Sequence, residues 1–330
     1  MKGFNAIAIF PTGIGLAIGG DASAGPVVSL LAGCCDNLIV NPNGCNASDI
    51  YVGTPNTLYV EGSTIDRLCR GEVSLRFSRS NKILCVCNKI VPATINAVNA
   101  SRWTLGAKIE IKELNTPLKM TSFINNYGLA DGRIEGADEM IEQIQDMDFD
   151  QLCIHTQIDC PESVSNAYWN GDLEVNPWGK VESMLSAYVT PRIERMAFHA
   201  PIEAGFNTLY SENIVGLQQA AEIISNTYAH CIFSGAHKAP TIHPGDSFDA
   251  DINYKNIHCL ISPYCWGPAQ QACYNLGIPV VVVKQNTTKI KRILIPEGVV
   301  FAENYLEAAG VIGAIKSGVD CKMVRLEYAD

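Results

Sequence analysis

The sequence predicts an α/β protein of two lobes with mainly parallel sheets and helices on both faces, in the manner of Rossmann-like folds. Two observations carry this prediction. Short apolar runs alternate with helical patterns along most of the chain. The first run, at 6–10, leads into a glycine-rich loop and then a helix. Both features are typical of strand–loop–helix units repeated along one chain.

Strands are expected where a short apolar run is bounded by Gly, Pro or Asn. These runs lie at 6–10, 37–40, 57–61, 82–87, 108–111, 151–155, 195–199, 230–234, 257–262 and 279–283. Helices are expected at 25–33, from a capping box at 63–66, and at 93–105, 135–147, 214–226, 267–276 and 303–316. Residues 159–180 and 236–251 show neither pattern, so we predict loops there, the first placed to cover a site.

A length of 330 residues fits about two domains. We expect an N-terminal lobe over 1–110 that contains the glycine-rich loop, an irregular middle segment and linker over 111–190, and a C-terminal lobe over 191–330. Hydrophobic residues make up 47% of the chain and charged residues 18%. This balance is enough to bury a large core and is unlike that of a disordered chain.

The charge balance argues against nucleic acid or an anionic membrane as a partner, because 24 Lys and Arg face 34 Asp and Glu. The thirteen cysteines include no C-x-x-C pair and are expected to be reduced. The first residues lack the pattern of a cleavable secretory signal. We therefore expect a cytoplasmic protein whose partner is a small anionic substrate, and homo-oligomerisation is left open.

Ligands of parallel α/β proteins bind beyond the carboxyl ends of strands, which here selects the loops that start at residues 11, 41, 199, 234 and 262. The first loop has the spacing G-x-G-x-x-x-G-G, which lets a carboxylate or phosphate approach the backbone. No Lys follows it, as a phosphate P-loop would require, and a plain turn is the alternative. The candidate binding residues are Thr12, Gly13, Gly15, Gly19, Gly20, Asn41, Asn43, Tyr59 and Tyr264.

Two cysteines stand where reactive thiols are expected. Cys265 follows a predicted strand and precedes a predicted helix, whose N-terminus lowers a thiol pKa. Cys45 occupies a comparable position in the first half of the chain. This layout is similar to that of cofactor-independent amino-acid racemases of the aspartate/glutamate type, although the residues around the two cysteines differ from theirs.

The remaining catalytic candidates are His199, His237 and Glu61. His199 ends a predicted strand, and His237 lies in a polar loop, where it is a general base or a metal ligand. Glu61 precedes a helix and is either an acid–base group or a helix cap. His237, His243 and Asp246 match no known metal motif, so no metal is assigned to these weak candidates. No organic cofactor is expected, and a divalent metal ion is the alternative.

Several motifs resemble one bacterial family across nearly the whole chain. They are Pro11-Thr-Gly-Ile-Gly15, Asn41-Pro-Asn43, Leu58-Tyr-Val-Glu-Gly62, His199-Ala-Pro201 and the stretch 262–316. On these residues the chain resembles the uncharacterised family catalogued as domain of unknown function 3326. The stretch 110–180 and the region after His237 depart from that pattern. The resemblance implies one evolutionary unit and brings no reaction with it.

Three functions remain open from the sequence. The first is an enzyme that transfers protons on a small carboxylate- or amide-bearing metabolite, as an isomerase, racemase or lyase. The second is a thiol- or metal-assisted amide hydrolase that uses Cys265 or the loop of His237. The third is a sensor without catalysis that binds an anionic ligand through the glycine-rich loop.

Overall fold

The first strand of the chain lies in a sheet with strands from its C-terminal third. The computed structural model describes residues 3–19, 23–44, 54–201, 228–247 and 249–325. In chain order its strands are β1 (Asn5–Ala8), β2 (Asn37–Val40), β3 (Thr57–Tyr59), β4 (Val73–Arg76), β5 (Lys82–Cys87), β6 (Lys108–Glu113), β7 (Lys119–Ile124), β8 (Ala130–Glu135), β9 (Gln151–Ile154), β10 (Ala197–His199), β11 (Thr241–Pro244), β12 (Ile257–Pro263), β13 (Val280–Val283) and β14 (Val300–Ala302).

Two parallel sheets organise these strands. The six-stranded sheet has the order β14-β13-β12-β1-β2-β3, and the four-stranded sheet has the order β10-β9-β5-β6. All pairings within both sheets are parallel. Parallel strands are buried on both faces, which explains why β1 and β13 are fully buried runs such as Val-Val-Val-Val. The predicted α/β class is confirmed.

The two sheets take their strands from different intervals than the predicted lobes. β1 pairs with both β2 and β12, so both ends of the chain build the six-stranded sheet. The four-stranded sheet comes from the interval between residues 82 and 199. Two antiparallel ribbons, β4 with β11 and β7 with β8, were not expected from the sequence.

Ten helices of the described ranges follow in chain order. They are α1 (Gly25–Ala32), α2 (Gly62–Cys69), α3 (Pro92–Leu105), α4 (Ala137–Ile144), α5 (Glu162–Trp169), α6 (Gly179–Ile193), α7 (Tyr228–Lys238), α8 (Pro268–Asn275), α9 (Tyr305–Lys316) and α10 (Cys321–Val324). Within the described ranges, every helix is too short or too polar to cross a lipid bilayer. The helix predicted at 214–226 lies outside the described residues.

The prediction of a long loop at 159–180 was wrong, because α5 occupies 162–169 and α6 begins at 179. The rings of Tyr168, Trp169 and Trp178 pack against one another with centroids 5.2–5.9 Å apart. This aromatic cluster joins the two helices through tertiary contacts. The spacing of apolar residues within one segment does not indicate ring contacts between two helices.

The predictions for 230–234 and 236–251 were also wrong. The apolar run at 230–234 belongs to α7, because a short apolar run has no period that separates a buried helix from a strand. The predicted loop at 236–251 contains the end of α7 and then β11, which pairs with β4 alone. A strand in a two-stranded ribbon at the surface keeps polar residues, and for that reason its sequence resembles a loop.

Candidate functional site

Two asparagine side chains join loops at the carboxyl edge of the six-stranded sheet. Asn41, after β2, accepts a hydrogen bond from the N–H of Phe10 at 2.7 Å and donates one to its carbonyl at 2.9 Å. Asn286, after β13, makes the same two contacts with Ile18 at 2.9 Å each. The carbonyl of Asn286 also accepts from the N–H of Tyr264 at 2.8 Å. The structure thus brings three of the predicted loops into contact, with Asn41 as a bridge between two of them.

The beginning of the glycine-rich loop packs against α6 and against the loop after β13. Gly13 and Gly15 have φ values of +73° and +63°, a region that strongly favours glycine. A Cβ on Gly13 would lie 3.0 Å from the backbone nitrogen of Lys180, and one on Gly15 would lie 2.7 Å from Cγ of Lys289. Any side chain at either position would meet backbone strain and a close neighbour.

Thr12 lies against the first residue of α6, since a Cβ on Gly179 would fall 1.8 Å from the Thr12 hydroxyl oxygen. In the later part of the loop, backbone N–H groups donate hydrogen bonds to other residues of the protein. The N–H of Ala17 donates to the carbonyl of Thr287 at 3.1 Å, and that of Gly19 donates to the Ser23 hydroxyl at 3.0 Å. The later part of the loop is therefore held in place by Thr287 and Ser23.

Three further candidate residues belong to the loops of this edge, and the structure describes one of them. Asn43 is half-buried in a short 3₁₀ turn, Pro42–Gly44, directly after Asn41. Gly20 and Cys45 lie outside the described residues.

Glu61 is a buried helix cap. Its carboxylate accepts hydrogen bonds from the N–H groups of Ser63 and Thr64, both at 2.8 Å, and from their hydroxyls at 2.6 and 3.1 Å. The predicted capping box at 63–66 was therefore wrong, because the cap is Glu61 itself. Asp66 instead accepts a hydrogen bond from the N–H of Ala269, and burial raises the pKa of Asp66 from 3.8 to about 6.

The two predicted tyrosines lie within packed surroundings. Tyr59 is buried, with its ring centroid 5.1 Å from that of Phe198 and its ring against Gly235. Tyr264 is half-buried and packs on the core of the six-stranded sheet. Both side chains lie against the core of the protein, where they shape the carboxyl edge.

The thiol of Cys265 is buried and protonated. Its Sγ accepts a hydrogen bond from Nε2 of Gln270 at 3.5 Å and lies 3.9 Å from the Ser262 hydroxyl. Burial raises the pKa of Cys265 to about 11, although these two contacts oppose the rise. The direction is opposite to that predicted from the N-terminus of α8, because burial removes the water that would stabilise a thiolate.

The histidines of the predicted metal loop are spread over separate elements. His237 is buried in the last turn of α7, where burial and Lys238 lower its pKa. His243 lies on β11 with Nε2 3.3 Å from the Thr241 hydroxyl, and Asp246 forms an ion pair with Lys255. No group of three His, Cys, Asp or Glu side chains in the described part of the chain could hold a metal ion.

His199 stands apart from these candidates because it lies in a connected set of polar groups. It ends β10 at the carboxyl edge of the four-stranded sheet, and its side chain is 1% exposed. Its Nδ1 lies 3.1 Å from a carboxylate oxygen of Glu182, and its Nε2 lies 3.2 Å from the Thr156 hydroxyl. Glu182 is in the first turn of α6, and Thr156 follows β9 by two residues.

The hydrogen-bonding capacity of these groups assigns the proton on the ring. An ionised carboxylate only accepts, so Nδ1 of His199 donates to Glu182. Nε2 of the neutral ring then accepts from the hydroxyl of Thr156. The neighbouring His155 holds its Nδ1 at 3.0 Å from the carbonyl of Ala200, and burial lowers its pKa. The basic atom of this cluster is therefore Nε2 of His199.

Sequence reasoning found His199 and missed its two partners. Glu182 is 17 residues away in the chain, and its approach depends on how α6 packs against β10. Thr156 directly follows the run predicted as a strand at 151–155, and a hydroxyl in that position was a usable signal.

A cavity of about 390 Å³ lies at the opposite end of the four-stranded sheet. Its lining includes the first residues of β5 and β6, Lys82 and Lys108, together with Arg102, Asp148 and Phe149. Lys82 and Asp148 form an ion pair with each other. None of the candidate residues lines this cavity.

Comparison with known proteins identifies a family but does not identify a reaction. A protein of Synechococcus sp., called an uncharacterised lipoprotein, is 25% identical over 335 residues, which cover 97% of this chain and 92% of that protein. No solved structure matches the chain. Residues 5–325 match the family described as protein of unknown function (DUF3326). The chain therefore belongs to the DUF3326 family.

Proposed function

We propose that this protein is an enzyme that transfers protons on a small polar metabolite, with His199 as its general acid–base group. The observation that carries the proposal is the Glu182–His199–Thr156 arrangement, in which His199 and Thr156 are buried and Glu182 is half-buried. It lies at the carboxyl edge of a parallel sheet, where α/β proteins bind ligands. The substrate class is a small carboxylate- or amide-bearing compound, and the reaction is an isomerisation, racemisation or elimination.

Each group of the arrangement has a defined part. Nε2 of His199 takes a proton from a carbon next to the substrate carbonyl, directly or through the Thr156 hydroxyl. Glu182 keeps the proton on Nδ1 and stabilises the imidazolium that forms. Return of the proton to another position or face gives an isomer. Loss of a leaving group from the neighbouring carbon gives an elimination product.

The buried histidine is better suited to this work than the thiol. With a pKa near 11, Cys265 is almost wholly protonated at neutral pH, so it is a poor base and a poor nucleophile. His199 has a carboxylate partner that stabilises its imidazolium, which is the arrangement of a general base.

A hydrolase is a second candidate, because hydroxyl, imidazole and carboxylate follow one another in the order of a nucleophilic triad. Thr156 would then attack an amide or ester carbonyl. The proton-transfer enzyme and the hydrolase differ in the role that Thr156 has. Nucleophilic attack needs its hydroxyl, so Thr156→Ser would retain hydrolysis and Thr156→Val would abolish it.

The test of the proposal is deuterium incorporation. The protein is incubated in D₂O with a panel of small 2-hydroxy, 2-amino and 2-oxo acids and their amides, and exchange at carbon is followed by NMR. The proposal predicts exchange with at least one compound, and its loss in His199→Gln. Hydrolysis without carbon exchange would favour the triad. Saturable binding with neither reaction would favour a sensor.

We extend the proposal to a cytoplasmic location. Most described cysteines are buried in the apolar core as thiols, as is usual in reducing compartments. The word lipoprotein in the name of the Synechococcus relative points instead to membrane attachment. Cell fractionation decides between them, since a cytoplasmic protein is recovered in the soluble fraction without detergent. In the same preparation, the exchange activity is measured with and without a chelator, and the oligomeric state is measured by size-exclusion chromatography.

A further inference from the structure

We propose that the first part of the glycine-rich loop binds the phosphate group of a small metabolite, with Lys180, Lys291 and Arg292 as its cationic partners. The inference deepens the proposed function, because it names a group that the substrate would carry. It depends on the backbone of residues 13–15 and on cations from two separate elements.

The alternation of φ along Gly13, Ile14 and Gly15 is the pattern of an anion-binding concavity. Gly13 and Gly15 have positive φ, whereas Ile14 between them does not. Alternation of this kind turns successive N–H groups toward one point, where they bind anions. These three N–H groups donate no hydrogen bond to any residue that the structure describes.

The loop after β13 is rich in cations and contacts residues 14 and 15 through Lys289. Four of the 24 Lys and Arg residues lie within 284–292, which contains no Asp or Glu. Lys289 is fixed there, since its N–H donates to the carbonyl of Ile14 at 2.8 Å and its side chain pairs with Glu174. Lys291 and Arg292 follow on the exposed surface, and neither has an ion pair with a described residue. The sequence lacks a Lys directly after the loop, and the fold supplies it from residue 289 onward.

Lys180 adds a cation from the other side. Its backbone nitrogen lies 3.0 Å from the position that a Cβ on Gly13 would occupy, and its side chain is exposed. Within the described ranges it has no carboxylate partner. Lys180 also belongs to the first turn of α6, whose dipole favours negative charge nearby.

Lys180 lies beside the loop, and Lys291 and Arg292 follow two and three residues after the contact at Lys289. Three unpaired cations in these positions favour a dianion over a single carboxylate, and a phosphate monoester is the common dianion of small metabolites. The chain as a whole carries a net charge of −10, so this concentration of positive charge is local. Lys180 precedes Glu182 by two residues, about 3 Å along the helix axis, so both lie in the first turn of α6. The loop, which contacts Gly179 and Lys180, and the Glu182–His199 pair therefore lie at the same end of α6.

The test is a titration of the full chain with inorganic phosphate, followed by the amide NMR signals of residues 13–15. We expect saturable shifts that acetate at equal ionic strength does not produce. The variant Lys291→Gln/Arg292→Gln should raise the dissociation constant at least about tenfold, because two charge-assisted contacts to the anion are lost. The matched control Lys108→Gln/Lys119→Gln, which removes two exposed cations elsewhere, should leave it unchanged.

Equal shifts from acetate, or equal weakening in the control, would overturn the phosphate site. Binding to vesicles of anionic phospholipid without saturable shifts from inorganic phosphate would also overturn it, in favour of a lipid headgroup. The variant His199→Gln separates this inference from the proposed function. This variant should bind inorganic phosphate as the wild type does. A failed phosphate titration therefore does not contradict the proposed proton transfer, and a failed exchange experiment does not contradict the phosphate site.

Discussion

The carboxyl edges of the two parallel sheets both hold buried polar groups, and they differ in what those groups can do. At the six-stranded sheet, Cys265, Gln270 and Asn286 are held by neutral hydrogen bonds within the protein. At the four-stranded sheet, a carboxylate and an imidazole meet beside a hydroxyl. Of the two sets, the second pairs an imidazole with a carboxylate, which is the pairing used in general acid–base catalysis. Burial alone therefore does not mark a site, and the chemistry of the buried groups decides.

The largest expected effect lies at the four-stranded edge. Glu182→Gln removes the charge that stabilises the imidazolium, and we expect deuterium exchange to fall by about 10²–10⁴-fold. The ¹⁵N signals of the His199 ring should report the change, because Nδ1 loses its ionised acceptor. An unchanged exchange rate and unchanged ring signals would remove Glu182 from the mechanism. Glu162→Gln, in the first turn of α5, is a control of the same chemistry.

The next effect is a pH dependence of stability at the other edge. Folding raises the pKa of Asp66 from 3.8 to about 6 through burial, so the folded protein favours the protonated carboxyl. The contribution of Asp66 to stability is therefore fully present below pH 3.8 and is lost as the pH rises through about 6. Asp66→Asn should remove this decline, which is on the order of 2–3 kcal/mol. Urea unfolding at pH 4 and 7 measures it, and identical profiles for both proteins would contradict the assignment.

Removal of the α2 cap comes third. Glu61→Ala leaves the N–H groups and hydroxyls of Ser63 and Thr64 without their acceptor, at a cost of about 1–2 kcal/mol in the free energy of unfolding. Glu61→Gln keeps one acceptor oxygen and should cost less. If Glu61 were instead an acid–base group, Glu61→Gln would abolish exchange while leaving stability nearly unchanged.

The smallest effect is expected at Cys265. Cys265→Ala should leave the exchange rate within about threefold of the wild type, because a protonated thiol takes no part in proton transfer. Brief treatment with iodoacetamide should label the half-buried Cys34, Cys160 and Cys321 ahead of Cys265. Rapid labelling of Cys265, prevented by a substrate, would return the thiol mechanism.

The sequence allowed most strands of the two sheets to be predicted, because parallel strands are continuous apolar runs. It did not reveal that β1 lies between β2 and β12, since strand order depends on pairings between distant segments. The same limit applies to the site. A local rule placed Cys265 at a helix start, but its pKa depends on burial by the surrounding fold. His199 was found from its position after a strand, while the carboxylate of Glu182 reaches it only through the packing of α6.

The most direct test of the central claim compares His199→Gln with Cys265→Ala in the same deuterium-exchange experiment. Both residues are buried at the carboxyl end of a parallel strand, so the pair separates the two edges. We predict that His199→Gln abolishes exchange and that Cys265→Ala retains it. Loss of exchange in Cys265→Ala, with activity retained in His199→Gln, would contradict the account.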